Sequence, residues 1–183
     1  MKREKIEWCQ FYWFDTPERH LPRILLIGDS IVVGHGQAVA RRLQGVATVG
    51  FYATSKIAGD PAIYRELALA LADEPIDVIL FNNGLHGLDC SDDFYRAGLE
   101  LFTDTLRHST SAALAWRNST PVTMPGNPAE PDPQKNGVVL HRNAIAFDIM
   151  AGRNIPVLDL YSAMADHPEY RNPDGFHYRE TGV

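Results

Sequence analysis

Short, almost wholly apolar runs alternate along this chain with longer stretches in which apolar residues return every three or four positions. Ile24-Leu25-Leu26-Ile27, entered from Leu21-Pro22 and closed by Gly28-Asp29-Ser30, predicts a buried strand. Further strands are predicted at 46–52, 78–81, 112–116 and 156–160, where nearly continuous apolar character suits a parallel sheet covered on both faces. Between them, Ile63, Leu67 and Leu71 share one helical face, and Phe94, Ala97, Leu101 and Thr105 another. Residues 137–151 are a further helix candidate, and 37–43 a short one after the Gly28-Asp29-Ser30 turn. Strand and helix thus alternate as βαβ units. Right-handed crossovers then predict a three-layer α/β/α sandwich around a mainly parallel central sheet. Such folds meet their ligands at the carboxyl ends of the strands.

Two stretches fall outside this alternation. Residues 1–20 mix aromatic and charged types without a sustained period, and read as an N-terminal extension to a single domain over 21–183. Residues 117–136 carry Pro121, Pro125, Pro128, Pro131 and Pro133 with Gly126 and Asn127, which predicts an irregular, solvated loop, either a connector or a substrate wall. A length of 183 residues, 45% hydrophobic and 22% charged, is that of one ordinary globular domain. Seventeen basic against twenty-three acidic residues, a net charge of −6, leave no basic footprint for a phosphate backbone, so no nucleic-acid partner is expected. Met1-Lys2-Arg3-Glu4-Lys5 is not followed by an apolar stretch, and no run approaches membrane-spanning length; a cytoplasmic location and no membrane partner are expected. Cys9 and Cys90 read as free thiols. Asp89, Asp92 and Asp93 around Cys90 disfavour a thiolate and argue against a catalytic cysteine.

The chemistry gathers at two motifs. Gly28-Asp29-Ser30 follows the first predicted strand directly, which brings the Ser30 hydroxyl to the edge where α/β folds bind ligands. A serine hydroxyl is a poor nucleophile until a base removes its proton. Near the other end, Asp174-Gly175-Phe176-His177 sets a carboxylate three residues before an imidazole in a turn opened by Pro173. There Asp174 would hold the ring tautomer and stabilise the imidazolium formed when His177 takes the proton. Each motif alone is commonplace; their combination points to nucleophilic catalysis. His35, His141 and His167 lack metal-ligand spacing and no Cys-x-x-Cys or His-Glu-x-x-His occurs, so no metal is expected. Gly34-His35-Gly36 lacks the third glycine of a dinucleotide turn, so no cofactor is expected. Val32 stands where a Gly-x-Ser-x-Gly elbow would end, which sets the chain apart from the α/β-hydrolases.

These residues resemble the SGNH or GDSL hydrolases, whose first block is matched by Leu25-Leu26-Ile27-Gly28-Asp29-Ser30-Ile31 and last block by Asp174-Gly175-Phe176-His177-Tyr178-Arg179-Glu180-Thr181-Gly182. The second block is best matched by Gly59 in Ser55-Lys56-Ile57-Ala58-Gly59-Asp60. The third departs from the family's Gly-x-Asn-Asp: Asn82-Asn83-Gly84-Leu85-His86-Gly87 puts His86 where the asparagine belongs. In that it is similar to a branch of carbohydrate-type esterases, which Thr120-Pro121-Val122 and Arg142-Asn143 also fit. The resemblance implies a flavodoxin-like three-layer fold, ester hydrolysis through an acyl-enzyme without metal, and an oxyanion hole built from the amides of Ser30 and Gly59 with a third-block side chain. His86 is the first candidate for that donor, with Asn83 or Asn82 as alternatives.

The short chain without a long apolar lid points to a small acyl group, acetyl first. Tyr52, Trp116 and Tyr161 offer rings on which a carbohydrate alcohol could stack, although a place in the core or on the surface is the commoner fate of such rings. The competing reading is a catalytically inactive module of the same fold that holds a glycan or a protein. The chain stops six residues beyond His177, where the family normally adds a closing helix, so a domain lacking that helix is expected.

Overall fold

The computed structural model describes residues 3–15, 20–72 and 75–179. Its sheet is built from β1 (Cys9–Trp13), β2 (Arg23–Gly28), β3 (Thr48–Thr54), β4 (Val78–Phe81), β5 (Ala113–Arg117) and β8 (Val157–Leu158), in the spatial order β1-β3-β2-β4-β5-β8. All neighbours run parallel except the edge strand β1, which lies antiparallel to β3. Apart from β1 this is the doubly wound order in which the chain first moves outward on one side of its first strand and then crosses to the other, leaving a crevice at the carboxyl ends of β2 and β4.

Alternate residues of β2 bury into different layers. Leu25 and Ile27 join Ile79, Phe81, Phe102 and Trp116 in the larger core, beneath α2 (Pro61–Leu71), α3 (Asp92–Ser109) and α4 (Lys135–Ala151). Leu26 faces the opposite way, with Val32 and Ala40 of α1 (Ser30–Arg42) and Val49, Phe51 and Ala53 of β3. This is the three-layer α/β/α sandwich that the alternation of runs predicts. Helices α1, α2 and α3 each start on a side-chain cap: Asp29 accepts from the Ile31 amide, Asp60 from that of Ala62 with Pro61 at the first turn, and Ser91 from that of Phe94.

Three local expectations change. The predicted short helix at 37–43 begins seven residues earlier, at Ser30 itself. Its Ile31-Val32-Val33 and two glycines are weak helix formers, but the Asp29 cap and the burial of Ile31, Val32, Gly36 and Ala40 outweigh propensity. Residues 117–136 are not irregular throughout: β6 (Thr123–Met124) and β7 (Asn127–Pro131) pair as a hairpin turned at Gly126, where φ is +81°. Residues 9–13, which show no period, form β1, whose side chains are largely exposed. The short α5 (Leu160–Ala165) follows β8. Among the described residues no helix is long and apolar enough to cross a membrane. The expectation of a missing closing helix falls on residues 180–183, which lie outside the described residues.

Candidate active site

Ser30 is the first residue of α1 and stands directly at the carboxyl end of β2, so its amide has no intrahelical acceptor and the positive end of the helix lies at its side chain. The turn into it is tight. A Cβ on Gly28 would come within 2.5 Å of both Arg117 Nη2 and Val32 Cγ2, so this position has room for glycine alone. Arg117, at the end of β5, is 4% exposed, and its Nη1 meets Nε2 of His35 from α1. Burial pushes the Arg117 guanidinium down to about 10, against an upward pull from Asp29, and it stays a cation at neutral pH. Burial first, and the Arg117 charge second, push His35 down to about 3, so His35 is a neutral acceptor. The sequence carried no sign of this pair.

The acid–base turn is held by the hairpin rather than by the sheet. Thr123 N–H donates to the Gly175 carbonyl at 2.9 Å and Gly126 N–H to that of Pro173 at 2.7 Å. Gly175 sits at φ +86°, and a Cβ there would lie 2.2 Å from the Thr123 carbonyl oxygen. Buried Arg171 donates to the Pro121 carbonyl at 2.8 Å and stacks over the Tyr178 ring at 4.9 Å, closing the base of the turn. So supported, His177 points Nε2 at Ser30 Oγ, 2.8 Å away, and donates from Nδ1 to Asp174 Oδ2 at 2.9 Å. Burial is the largest influence on the Asp174 carboxyl and acts upward. The amides of His177 and Phe176 and the His177 ring outweigh it together and hold the group below the usual carboxylate range.

Two cavities meet at Ser30 and His177. One, of about 390 Å³, is walled by Ile31, Gly34, Val39, Leu158, Leu160 and Met164 among others, with Arg117 and His35 at its side. The other, of about 630 Å³, is the more polar of the two and is bordered by Arg3, Glu4, Lys5, His86 and Asp89 together with Leu85, Leu88 and Phe176.

The predicted third-block donors separate. His86 lines the larger cavity with Ser30, and its Nδ1 is hydrogen-bonded to Glu4 Oε1. With Nδ1–H given to a carboxylate, Nε2 can donate only when the ring is doubly protonated. Asn83 is buried and committed to the second-block loop: it accepts from Ala58 N–H at 2.8 Å and donates to the Lys56 carbonyl at 2.8 Å. Asn82 donates to the Arg117 carbonyl and to Ser119 Oγ. Gly59 packs against α3 so closely that a Cβ on Gly98 would fall 2.6 Å from its nitrogen. Neither cavity at Ser30 is lined by Gly59, Asn82 or Asn83.

Arg142 and Asn143, which the resemblance singles out without assigning them a task, hold these loops. Arg142, 1% exposed, donates to the carbonyls of Gly84, His86 and Gly87, and lies 4.5 Å over the Tyr95 ring. Asn143 clasps the Ser119 backbone through both its amide oxygen and nitrogen. Cys9 and Cys90 are free thiols. Among the described residues no group of three or more histidines, cysteines and carboxylates is placed to hold a metal.

No family model and no curated protein sequence matches the chain. Solved structures match it in fold. The acetyl xylan esterase AlAXEase gives a TM-score of 0.68 at 13% identity, over 87% of this chain and 93% of that one. The acetylxylan esterase of Geobacillus stearothermophilus gives 0.61 at 18% identity over 88% of each chain, and catalytic mutants of that enzyme carry alanine in place of one serine or one histidine. A GDSL-like lipase from Bacteroides thetaiotaomicron gives 0.61 at 12% identity, over 92% of this chain and 85% of that one.

Proposed function

From the premise that this chain has the fold of the SGNH/GDSL hydrolases, we propose that it hydrolyses carboxylic esters through Ser30, His177 and Asp174. The observation that carries the reading is the unbroken relay from Ser30 Oγ to His177 Nε2 at 2.8 Å and from His177 Nδ1 to Asp174 at 2.9 Å. The Ser30 hydroxyl attacks the ester carbonyl while its proton passes to His177; the imidazolium, paired with Asp174, then protonates the departing alcohol. Water, deprotonated by the same ring, attacks the acyl-enzyme and frees the acid.

The oxyanion forms beside the Ser30 amide, at the positive end of α1. His86, which borders the cavity at Ser30, is the side chain we assign as its partner, and the Gly59 amide stands in the loop that Asn83 braces. The alcohol is a carbohydrate in this reading, and acetyl the smallest acyl group it covers; the acetylxylan esterases that share the fold support both. A module that merely binds has no use for a base hydrogen-bonded to a helix-starting serine.

Ser30→Ala should abolish turnover of p-nitrophenyl acetate and labelling by a fluorophosphonate while leaving the circular dichroism spectrum unchanged. Full activity in that variant would end the assignment.

A further inference from the structure

The two cavities that meet at Ser30 differ in chemistry, and an ester has two halves. The larger mixes charge with carbon, setting Arg3, Glu4, Lys5 and Asp89 beside Leu85, Leu88 and Phe176, and suits an alcohol with hydroxyls and an apolar face. The other is walled by carbon, and its near wall is α1, the helix that begins with Ser30. The half of the ester that stays bonded to Ser30 through the acyl-enzyme is the acyl group. An acetyl group takes about the space of two waters, on the order of 60 Å³, and would leave most of a 390 Å³ apolar cavity empty.

Gly34 adds a second, independent observation. It lies one helical turn beyond Ser30 in α1 and lines the cavity, yet a Cβ placed on it would meet nothing within 4 Å. Its backbone is not in the left-handed region, and glycine is the poorest helix former after proline. Neither backbone geometry nor packing therefore calls for glycine here. What glycine does at this position is leave the cavity open beside the nucleophile.

We propose that the cavity bounded by Ile31, Gly34, Val39, Leu158, Leu160 and Met164 holds the acyl half of the ester, that the preferred acyl group is an unbranched apolar chain longer than acetyl, and that Gly34 sets its length. This rests on the hydrolase reading and names its substrate class. The chain most favoured has about six to eight carbons, by the size of cavity and the gain from each buried methylene.

Wild-type kcat/KM is measured on p-nitrophenyl acetate, butyrate, hexanoate and octanoate, and on Gly34→Leu with the same series. The wild type should gain about threefold to fourfold per methylene as far as hexanoate, and Gly34→Leu, which puts four carbons into the cavity, should lower the hexanoate-to-acetate ratio at least about tenfold. As a check that needs no variant, wild-type inhibition by n-alkylboronic acids, which bond to the serine oxygen, should tighten from methyl to hexyl. Active enzyme whose rates are flat or fall from acetate onward, boronic acids indifferent to length, or a folded Gly34→Leu with an unchanged ratio would each overturn the acyl-pocket assignment and leave the hydrolase reading standing. A wild type that cleaves none of the esters, acetate included, would overturn both.

Discussion

Arg142 offers the most informative single change away from the reacting atoms. Its guanidinium donates to Gly84 at 3.1 Å, His86 at 2.8 Å and Gly87 at 2.5 Å, and so gathers three carbonyls of the loop that carries His86. Arg142→Met keeps most of the apolar stem and removes the donors. The Gly84 carbonyl lies in a buried residue, whereas His86 and Gly87 are partly exposed, so one acceptor is left dry and two regain water. A dry acceptor costs about 1–3 kcal/mol and each charge-assisted bond contributes about as much, from which relief of a buried cation's desolvation must be subtracted. The expected net loss is about 3 kcal/mol, a large share of the ~5–15 kcal/mol typical of a domain. Urea unfolding should show a lowered midpoint with an unchanged slope, and Arg142→Lys, with one ammonium for three acceptors, should recover only part of it. A loss below about 1 kcal/mol in Arg142→Met would refute the claim that this side chain holds the loop.

Gly175→Ala should destabilise by more than about 2 kcal/mol and lower kcat/KM at least tenfold, because strain at φ +86° adds to a contact of 2.2 Å with the Thr123 carbonyl oxygen; thermal unfolding and ester kinetics on one sample check the two losses separately. His35 gives a pH dependence with a definite sign. Its folded value of about 3 lies below the ordinary 6.5, so the unfolded chain binds the proton more readily; the stability this confers is complete above pH 6.5 and drains away as pH falls toward 3. Between pH 6.5 and about 4.5 the wild type should lose roughly 2 kcal/mol more than His35→Gln. Parallel melting profiles for the two proteins would contradict the placement of a neutral imidazole against Arg117.

Much of the architecture could be read from the chain because buried parallel strands write themselves as apolar runs: 78–81 matches β4 residue for residue, and the predicted strands at 24–27 and 112–116 each lie within a residue of β2 and β5. The serine and the Asp-His turn were legible for a different reason, since their short spacings and special residues act locally. What stayed hidden depends on distant partners. The sheet's antiparallel edge, β1, exposes most of its side chains and so shows no core periodicity. The hairpin of β6 and β7 is rich in proline, which reads as irregular chain, and short edge strands tolerate it. Arg117, Arg142 and Arg171 are each at most 4% exposed, and nothing in an arginine's neighbours along the chain distinguishes one that donates to buried carbonyls from one in water. The assignment of Asn83 to the second-block loop likewise joins residues 25 to 27 positions apart.

The hairpin gives the site a seam. Ser30 is fastened to the sheet through β2 and α1, whereas Asp174 and His177 ride on a turn that takes its bearings from Thr123 and Gly126 through two backbone hydrogen bonds. The nucleophile and its base therefore belong to different parts of the fold, and they meet across 147 positions through the hydrogen bond between His177 and Ser30. Loosening the hairpin alone should withdraw the base from the serine while every strand of the main sheet keeps its neighbours, so that on warming ester turnover should be lost before the circular dichroism of the sheet.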